Sequence, residues 1–205
     1  MFIGVLLAMA SGMYAQEAVK VSDFELKAGE TKTVEIELVN TNAYCQGQFV
    51  ITLPEGVTIP DYENDDEEMV PDVQLTSRKK SDHTVTTKLK SPGVWGVVIV
   101  SVSNKTFKGN DGALVTFKVK AADDLTGGVL TGKIGEILFA GEGVESNIAD
   151  VTFNITSTSG INEISAEKPA TVYDLKGNQI RKNATSVDGL AKGVYIINNK
   201  KVIVK

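Results

Sequence analysis

The stretch TVEIEL, residues 33–38, alternates polar and apolar side chains at every position. Val34, Ile36 and Leu38 fall on one side of an extended chain, and a threonine and two glutamates fall on the other. Successive side chains of a β-strand point to opposite faces of its sheet. This period of two therefore predicts a strand with one buried face and one face in water.

The same period of two recurs along the chain. Phe49, Ile51 and Leu53 repeat it, and that run ends at a turn formed by Pro54, Glu55 and Gly56, residues 54–56. Residues 97–100 are continuously apolar and β-branched, which predicts a strand that is covered on both faces. Further strands are predicted at residues 114–119, 134–139 and 151–155.

No long amphipathic helical pattern occurs in the sequence, and helix is predicted for at most a turn or two near Ala121–Leu125. The apolar fraction of 42% is sufficient for a packed core. Short strands at regular spacing, punctuated by Gly, Asn and Asp, predict an all-β fold. An antiparallel β-sandwich of the jelly-roll type is favoured over an α/β fold.

A polar segment, TSTSGINEISAEK at residues 156–168, divides the chain. The predicted division is a sandwich over residues 16–157, a linker with the start of a tail over 158–168, and a small β domain over 169–205. The tail ends in a predicted hairpin over residues 193–204. Because an isolated hairpin is marginal in water, this hairpin is predicted to pair with a strand at residues 171–175.

The N-terminal residues have the pattern of a secretory signal peptide. An apolar run from Phe2 to Ala10 is followed by small and turn-prone residues, and it is too short to span a bilayer. Residues 1–15 are therefore predicted to be removed on export, which places the protein at the cell surface or outside the cell. A buried N-terminal strand is the alternative interpretation.

The composition excludes several classes of function. A net charge of −5 argues against a nucleic-acid partner, because phosphate binding requires a basic face. Cys45 is the only cysteine and is predicted to be a buried structural residue. His83, the only histidine, is predicted at the surface or at a strand edge. Without a nucleophile elbow, an HExxH motif or a phosphate-cradling loop, the chain is predicted not to be an enzyme.

The strongest local signal of composition is the acidic run at residues 61–68. Hard oxygen ligands concentrated in one loop could bind calcium, and Asp61, Glu63, Asp65 and Asp66 would be its ligands. The residue order of an EF-hand is absent, because no glycine occupies the sharp-turn position. A solvated, self-repelling loop without a cofactor is the favoured alternative.

Aromatic residues, which commonly form the platforms of sugar-binding sites, make up 6% of the chain. Tyr44 and Tyr62 fall in predicted loops and are the candidates for exposed ligand-binding rings. Trp95 is the single tryptophan, and the apolar strand that follows it predicts a place in the core or at its edge. It is retained as a third candidate for ligand binding.

Three segments of residues 19–157 resemble cohesin-like modules of Bacteroidetes. They are KAGET at residues 27–31, QGQF at 46–49 leading into LPEGV at 53–57, and FKGNDG at 107–112. Cohesins are nine-stranded jelly-roll sandwiches related to carbohydrate-binding modules, and they dock calcium-loaded dockerins. The resemblance therefore implies a non-catalytic module that docks a dockerin-like protein. A carbohydrate-binding module that acts on polysaccharide is the alternative.

The tail resembles the C-terminal sorting domains of proteins exported by the type IX secretion system of Bacteroidetes. The matching segments, in order, are VYDLKG at residues 172–177, LAKGVYI at 190–196 and KVIVK at 201–205. This resemblance implies that secretion machinery recognises the tail and carries the protein across the outer membrane.

Overall fold

The computed structural model describes residues 17–158, 170–184, 186–198 and 200–204. Within these ranges the chain consists of strands, turns and loops. No helix in the described ranges is long and apolar enough to cross a membrane. The predicted signal peptide, residues 1–15, and residues 159–168 of the predicted linker lie outside the described residues, so both assignments stay predictions.

Eighteen strands are present in the described residues. Those before the predicted linker are β1 Ala18–Lys20, β2 Phe24–Lys27, β3 Thr31–Val39, β4 Gln46–Thr52, β5 Val57–Thr58, β6 Asp61–Glu63, β7 Met69–Pro71, β8 Val73–Leu75, β9 His83–Ser91, β10 Val94–Ser101, β11 Ala113–Ala121, β12 Gly128–Gly141, β13 Val144–Ile148 and β14 Val151–Thr158. Those after it are β15 Ala170–Asp174, β16 Gln179–Ala184, β17 Gly193–Ile197 and β18 Lys200–Val204.

Two sheets form a jelly-roll sandwich, which confirms the predicted fold class. The five-stranded sheet has the order β1-β3-β11-β5, with β8 also paired to β11. The seven-stranded sheet has the order β2-β14-β12-β4-β10-β9, with β13 also paired to β12. All pairs are antiparallel except β2 with β14. A separate two-stranded hairpin is formed by β6 and β7.

The alternating strands supply the core between the two sheets, as predicted. Val34, Ile36 and Leu38 of β3 are buried, and they belong to the same cluster as Phe49 and Ile51 of β4. Burying a side chain of this size stabilises the fold by about 1.5–3 kcal/mol. The period of two in the sequence therefore identifies which side of each strand faces the core.

The structure corrects two expectations about local structure. Residues 97–100 were expected to be covered on both faces, but Val98 and Val100 are 46% and 39% exposed while Val97 and Ile99 are buried. The prediction was wrong because a continuous apolar run does not reveal whether a second layer covers the strand. The predicted helical turn near Ala121–Leu125 is also wrong. The chain makes only a tight turn there, between β11 and β12.

The tail forms a four-stranded antiparallel sheet of order β16-β15-β17-β18. The pairing of β15 with β17 confirms that the terminal hairpin joins the strand near residues 171–175. Tyr195 lies opposite Val202 across the hairpin, and both side chains are buried. With Val172 and Ile197 they belong to a hydrophobic cluster distinct from the core of the sandwich.

Candidate functional site

Outward-pointing residues of β9, β10, β4 and β12 form a continuous surface, called the outer face below. Because Val97 and Ile99 point into the core, their neighbours on β10 point away from it. Thr86, Val98, Gln48 and Leu138 lie side by side across the four strands. The aliphatic side chains of Val98 and Leu138 therefore alternate with polar side chains in the middle of the outer face.

A shallow depression lies at one end of the outer face. Thr84 is paired with Val100 on one side of it, and Gln46 is paired with Ala140 on the other. Val100, Gln46 and Ala140 line the depression, and Glu145 of β13 lies at its margin. An apolar floor with a polar rim is the composition of protein–protein interfaces.

The other end of the outer face is closed by an ion pair that reaches across the sheet. Lys90 Nζ of β9 lies 3.5 Å from Glu136 Oε2 of β12. A Cβ added to Gly96 would lie 3.3 Å from Lys90 Cδ, so the stem of the lysine covers this glycine. Both charged side chains are at least half exposed, and an ion pair of this kind contributes little stability.

A β-bulge in β12 places Glu136 at that end. The register of β12 against β4 shifts between Gly135 and Leu138, and Glu136 has a left-handed φ of 52°. Its backbone N–H donates to Asp150 Oδ1 at 3.2 Å, and Lys133 Nζ lies 2.5 Å from Asp150 Oδ2. Lys133 lowers the pKa of Asp150 by hydrogen bonding, so this carboxylate stays charged and holds the bulge.

A turn extends the apolar row of β10 beyond the sheet. Val102 follows Val98 and Val100 with the same spacing, and it is 86% exposed. Asp82 Oδ2 accepts hydrogen bonds from the Ser101 hydroxyl at 2.9 Å, from the Ser103 N–H at 3.1 Å and from the Ser103 hydroxyl. The Ser103 hydroxyl is the main reason that the pKa of Asp82 lies well below its usual range. A carboxylate that is charged at neutral pH therefore fixes the turn that presents Val102.

The predicted aromatic binding residues do not come together in the structure. Tyr44 was expected to be exposed, but it is 1% exposed, with its hydroxyl 2.6 Å from Ser146 Oγ and its ring against Phe139. Trp95 is buried, as predicted for a core residue. Tyr62 is partly exposed on β6, opposite Val70. Of the three rings, Tyr62 alone reaches the surface.

The acidic run forms an ordered hairpin rather than an irregular loop. Asp61 and Glu63 lie on β6, and Asp65 and Asp66 lie in the turn before β7. Asn64 Oδ1 accepts hydrogen bonds from the backbone N–H of Asp66 at 3.0 Å and from that of Glu68 at 2.8 Å. In the part of the chain that the structure describes, no group of three His, Cys, Asp or Glu side chains is arranged to hold a metal ion.

His83 begins β9, the edge strand of its sheet, which confirms the expected strand-edge position. The alternative surface position is wrong, because His83 is 5% exposed. Its Nδ1 accepts a hydrogen bond from the Lys80 N–H at 3.0 Å, and its ring stacks on Phe107 with centroids 4.6 Å apart. Cys45 is buried, as predicted.

Sequence reasoning missed Val98, Val100, Val102 and Leu138 as surface residues. Val98 and Val100 belong to a continuous apolar run, a pattern that is typical of buried strands. The available signal was the alternation on the neighbouring strand, where Thr84 and Thr86 mark the exposed side of β9.

No protein-family model matches the chain, and no curated protein matches it in sequence. Solved structures of cohesins match its fold. A non-cellulosomal cohesin from the archaeon Archaeoglobus fulgidus is 15% identical with a TM-score of 0.55, covering 72% of this chain and 94% of that one. The type I Coh-OlpA-Doc918 cohesin–dockerin complex from Clostridium thermocellum is 12% identical with a TM-score of 0.57, and the match covers 70% of this chain and 100% of that one.

A third match is the sixth cohesin of scaffoldin B from Acetivibrio cellulolyticus, solved in complex with a Cel5 dockerin. It is 12% identical with a TM-score of 0.56, and the match covers 70% of this chain and 100% of that one. At these identities the matches establish the fold. The chain contains a cohesin-like β-sandwich.

Proposed function

We propose that the chain is a non-catalytic protein-docking module of cohesin type, and that it binds a dockerin-like protein through the outer face. The observation that carries this proposal is the exposure of Val98 in the middle of a four-stranded surface and of Val100 in the depression at its end, both beside polar side chains. Apolar patches of this kind on a folded protein mark interaction sites. Two of the structurally similar cohesins were solved as complexes with dockerins, which supports a protein partner.

A carbohydrate-binding module that acts on polysaccharide is the alternative function. Sugar binding through aromatic platforms would need exposed rings, whereas Tyr44 and Trp95 are buried. The outer face as defined above carries no aromatic ring. Tyr62 on the acidic hairpin is therefore the residue on which this alternative depends.

We further propose that the protein is exported and acts at the cell surface or in the medium. The N-terminal pattern of residues 1–15 supports export. The ordered match of the tail to sorting-type domains supports recognition of residues 169–205 by secretion machinery. The tail has its own sheet and its own hydrophobic cluster, as a separately recognised unit requires.

The docking function is tested by capture of secreted host proteins on immobilised residues 16–205. Val98→Glu with Val100→Glu places two charges in the apolar lining of the depression on the outer face and is expected to abolish capture of a dockerin-bearing protein. Leu175→Glu is the matched control, because Leu175 is 63% exposed in a turn of the tail. Capture that survives the double substitution would contradict the outer face as the docking site.

A glycan array run beside the capture separates the two functions. The docking proposal predicts no saturable glycan binding. Saturable binding that is lost in Tyr62→Ala would instead establish the carbohydrate-binding alternative.

A further inference from the structure

A cationic groove lies beside the turn that joins β8 to β9, and it shares no lining residue with the depression on the outer face. It is lined by the hydroxyl-bearing residues Thr76, Ser77 and Ser81 and by Lys79, Lys80 and Lys108, and it is called the lysine groove below. Its lining includes no acidic side chain. In the described part of the chain, none of the three lysines is within 4.0 Å of a carboxylate oxygen. Three lysines without a close ion pair are thus gathered on a protein of net charge −5.

Arg78 holds the two walls of the lysine groove together from beneath. Its guanidinium is buried and donates to the carbonyl oxygens of Lys108 at 2.9 Å, Gly109 at 3.1 Å and Gly112 at 2.8 Å. The Lys108 N–H in turn donates to the Arg78 carbonyl at 2.8 Å. All five acceptors of the guanidinium are neutral oxygens. Burial lowers the pKa of Arg78, and the nearby Asp111 carboxylate opposes this effect.

The turn itself is also fixed by hydrogen bonds. The Thr76 hydroxyl donates to the Ala113 carbonyl at 2.6 Å, and the Lys79 N–H donates to the Thr76 carbonyl at 3.1 Å. The Lys80 N–H donates to His83 Nδ1. A groove with both walls ordered before binding loses little conformational entropy when a ligand enters.

The complementary charge occurs in the same chain, on the hairpin of β6 and β7. Six carboxylates between residues 61 and 68 are all exposed, namely Asp61, Glu63, Asp65, Asp66, Glu67 and Glu68. None of them forms an ion pair within the described residues. The hairpin and the lysine groove are separated by β8, with Asp72 before that strand and Thr76 after it. Within the described residues of one chain, neither the groove lysines nor the hairpin carboxylates form an ion pair.

We propose that the lysine groove is a binding site for an acidic peptide segment, and that its occupant is the β6–β7 hairpin of a second copy of this chain. Such an interface joins two different surfaces, so each added copy leaves one free groove and one free hairpin. The contact is electrostatic and solvent-exposed, so salt weakens it steeply. It does not depend on the proposed docking function, because it uses neither the outer face nor a foreign partner.

The test uses residues 16–205 and measures sedimentation as a function of protein concentration, at about 20 mM and about 500 mM NaCl. The groove variant carries Lys79→Gln, Lys80→Gln and Lys108→Gln. The hairpin variant carries Asp65→Asn, Asp66→Asn, Glu67→Gln and Glu68→Gln. We expect the unaltered chain to associate at low salt and to dissociate at high salt. Each variant alone should associate at least about tenfold more weakly.

A mixture of the two variants gives the decisive result. The groove variant retains an intact hairpin and the hairpin variant retains an intact groove, so equal amounts should form a dimer that grows no further. The control variant Lys20→Gln, Lys182→Gln, Lys192→Gln makes the same change in net charge as the groove variant, at exposed lysines outside the groove and the outer face, and it should associate like the unaltered chain. An unaltered chain that stays monomeric at low salt overturns the proposal, as does a mixture that stays monomeric or a control that loses association equally.

Discussion

At the scale of single residues, the Arg78 side chain donates five hydrogen bonds, to residues between 30 and 40 positions away in the sequence. Replacement by methionine keeps its apolar stem but removes five hydrogen bonds, to four backbone carbonyls and Asn40 Oδ1. Of these acceptors, the Gly112 carbonyl keeps a second donor, the Leu38 N–H at 3.1 Å. Buried acceptors without partners are costly, so Arg78→Met should lower the free energy of unfolding by about 3–5 kcal/mol. Urea denaturation measures the change. The control Arg181→Met removes one bond, to the Asp188 carbonyl, and should cost about 1 kcal/mol or less. Equal losses in the two variants would refute this role of Arg78.

His83 should make the stability of the sandwich depend on pH near neutrality. Burial lowers the pKa of His83 from its ordinary value of 6.5, the nearby Asp82 carboxylate opposes this effect, and the charges of Lys80 and Lys105 add to the lowering. The unfolded chain therefore binds a proton that the folded chain does not accept. Stability is fully present above the ordinary pKa and is lost as the pH falls through it towards the lower folded value.

The prediction is a fall in unfolding free energy on acidification from about pH 7.5 to about pH 5.5. Chemical denaturation at several pH values measures it. Because His83 is the only histidine, His83→Gln should remove most of this dependence. A variant with the same pH dependence as the unaltered chain would show that another group titrates in this range.

At the scale of elements, Asn64 Oδ1 holds the turn of the β6–β7 hairpin through two backbone N–H groups, and within the described residues no three acidic side chains there are arranged to hold a metal ion. Millimolar calcium should therefore leave the melting temperature almost unchanged. A ligand present at a hundredfold its dissociation constant would add about 2.7 kcal/mol of stability instead. A rise of several degrees that disappears in Asp65→Asn with Asp66→Asn would establish a calcium site at this hairpin.

At the scale of the whole molecule, the sandwich and the tail have distinct hydrophobic clusters, and the last sandwich strand, β14, ends at Thr158. Deletion of residues 161–205 should thus leave the sandwich folded. Fluorescence of Trp95, the single tryptophan, reports on the sandwich alone, and its urea midpoint should be unchanged. A sandwich that unfolds without the tail would show that the tail is part of its structure.

The same deletion tests the sorting proposal in the native host. The truncated protein should stay in the periplasm, where fractionation and immunoblotting would detect it. If it reached the surface or the medium at the normal level, residues 169–205 would not be a sorting domain.

Much of the fold was predictable from local pattern. The alternation at residues 33–38 and 49–53 predicts strands and their buried faces, and the pattern of the tail predicts its paired hairpin. The acidic run is also visible in the sequence, but its hairpin geometry is not. The candidate docking site was not predictable, because the outer face joins residues as distant as Thr86 and Leu138.

By itself, therefore, the sequence determined the all-β class, the position of most strands and the side of each alternating strand that faces the core. These properties follow from the period of two, which is local along the chain. Tertiary structure alone decided that Val98 and Val100 are exposed and that Tyr44 and His83 are buried. Tyr44 meets Ser146, which is 102 residues away, and His83 is covered by Phe107. The physical reason is that burial depends on which distant element packs against a side chain, and no short stretch of sequence contains that information.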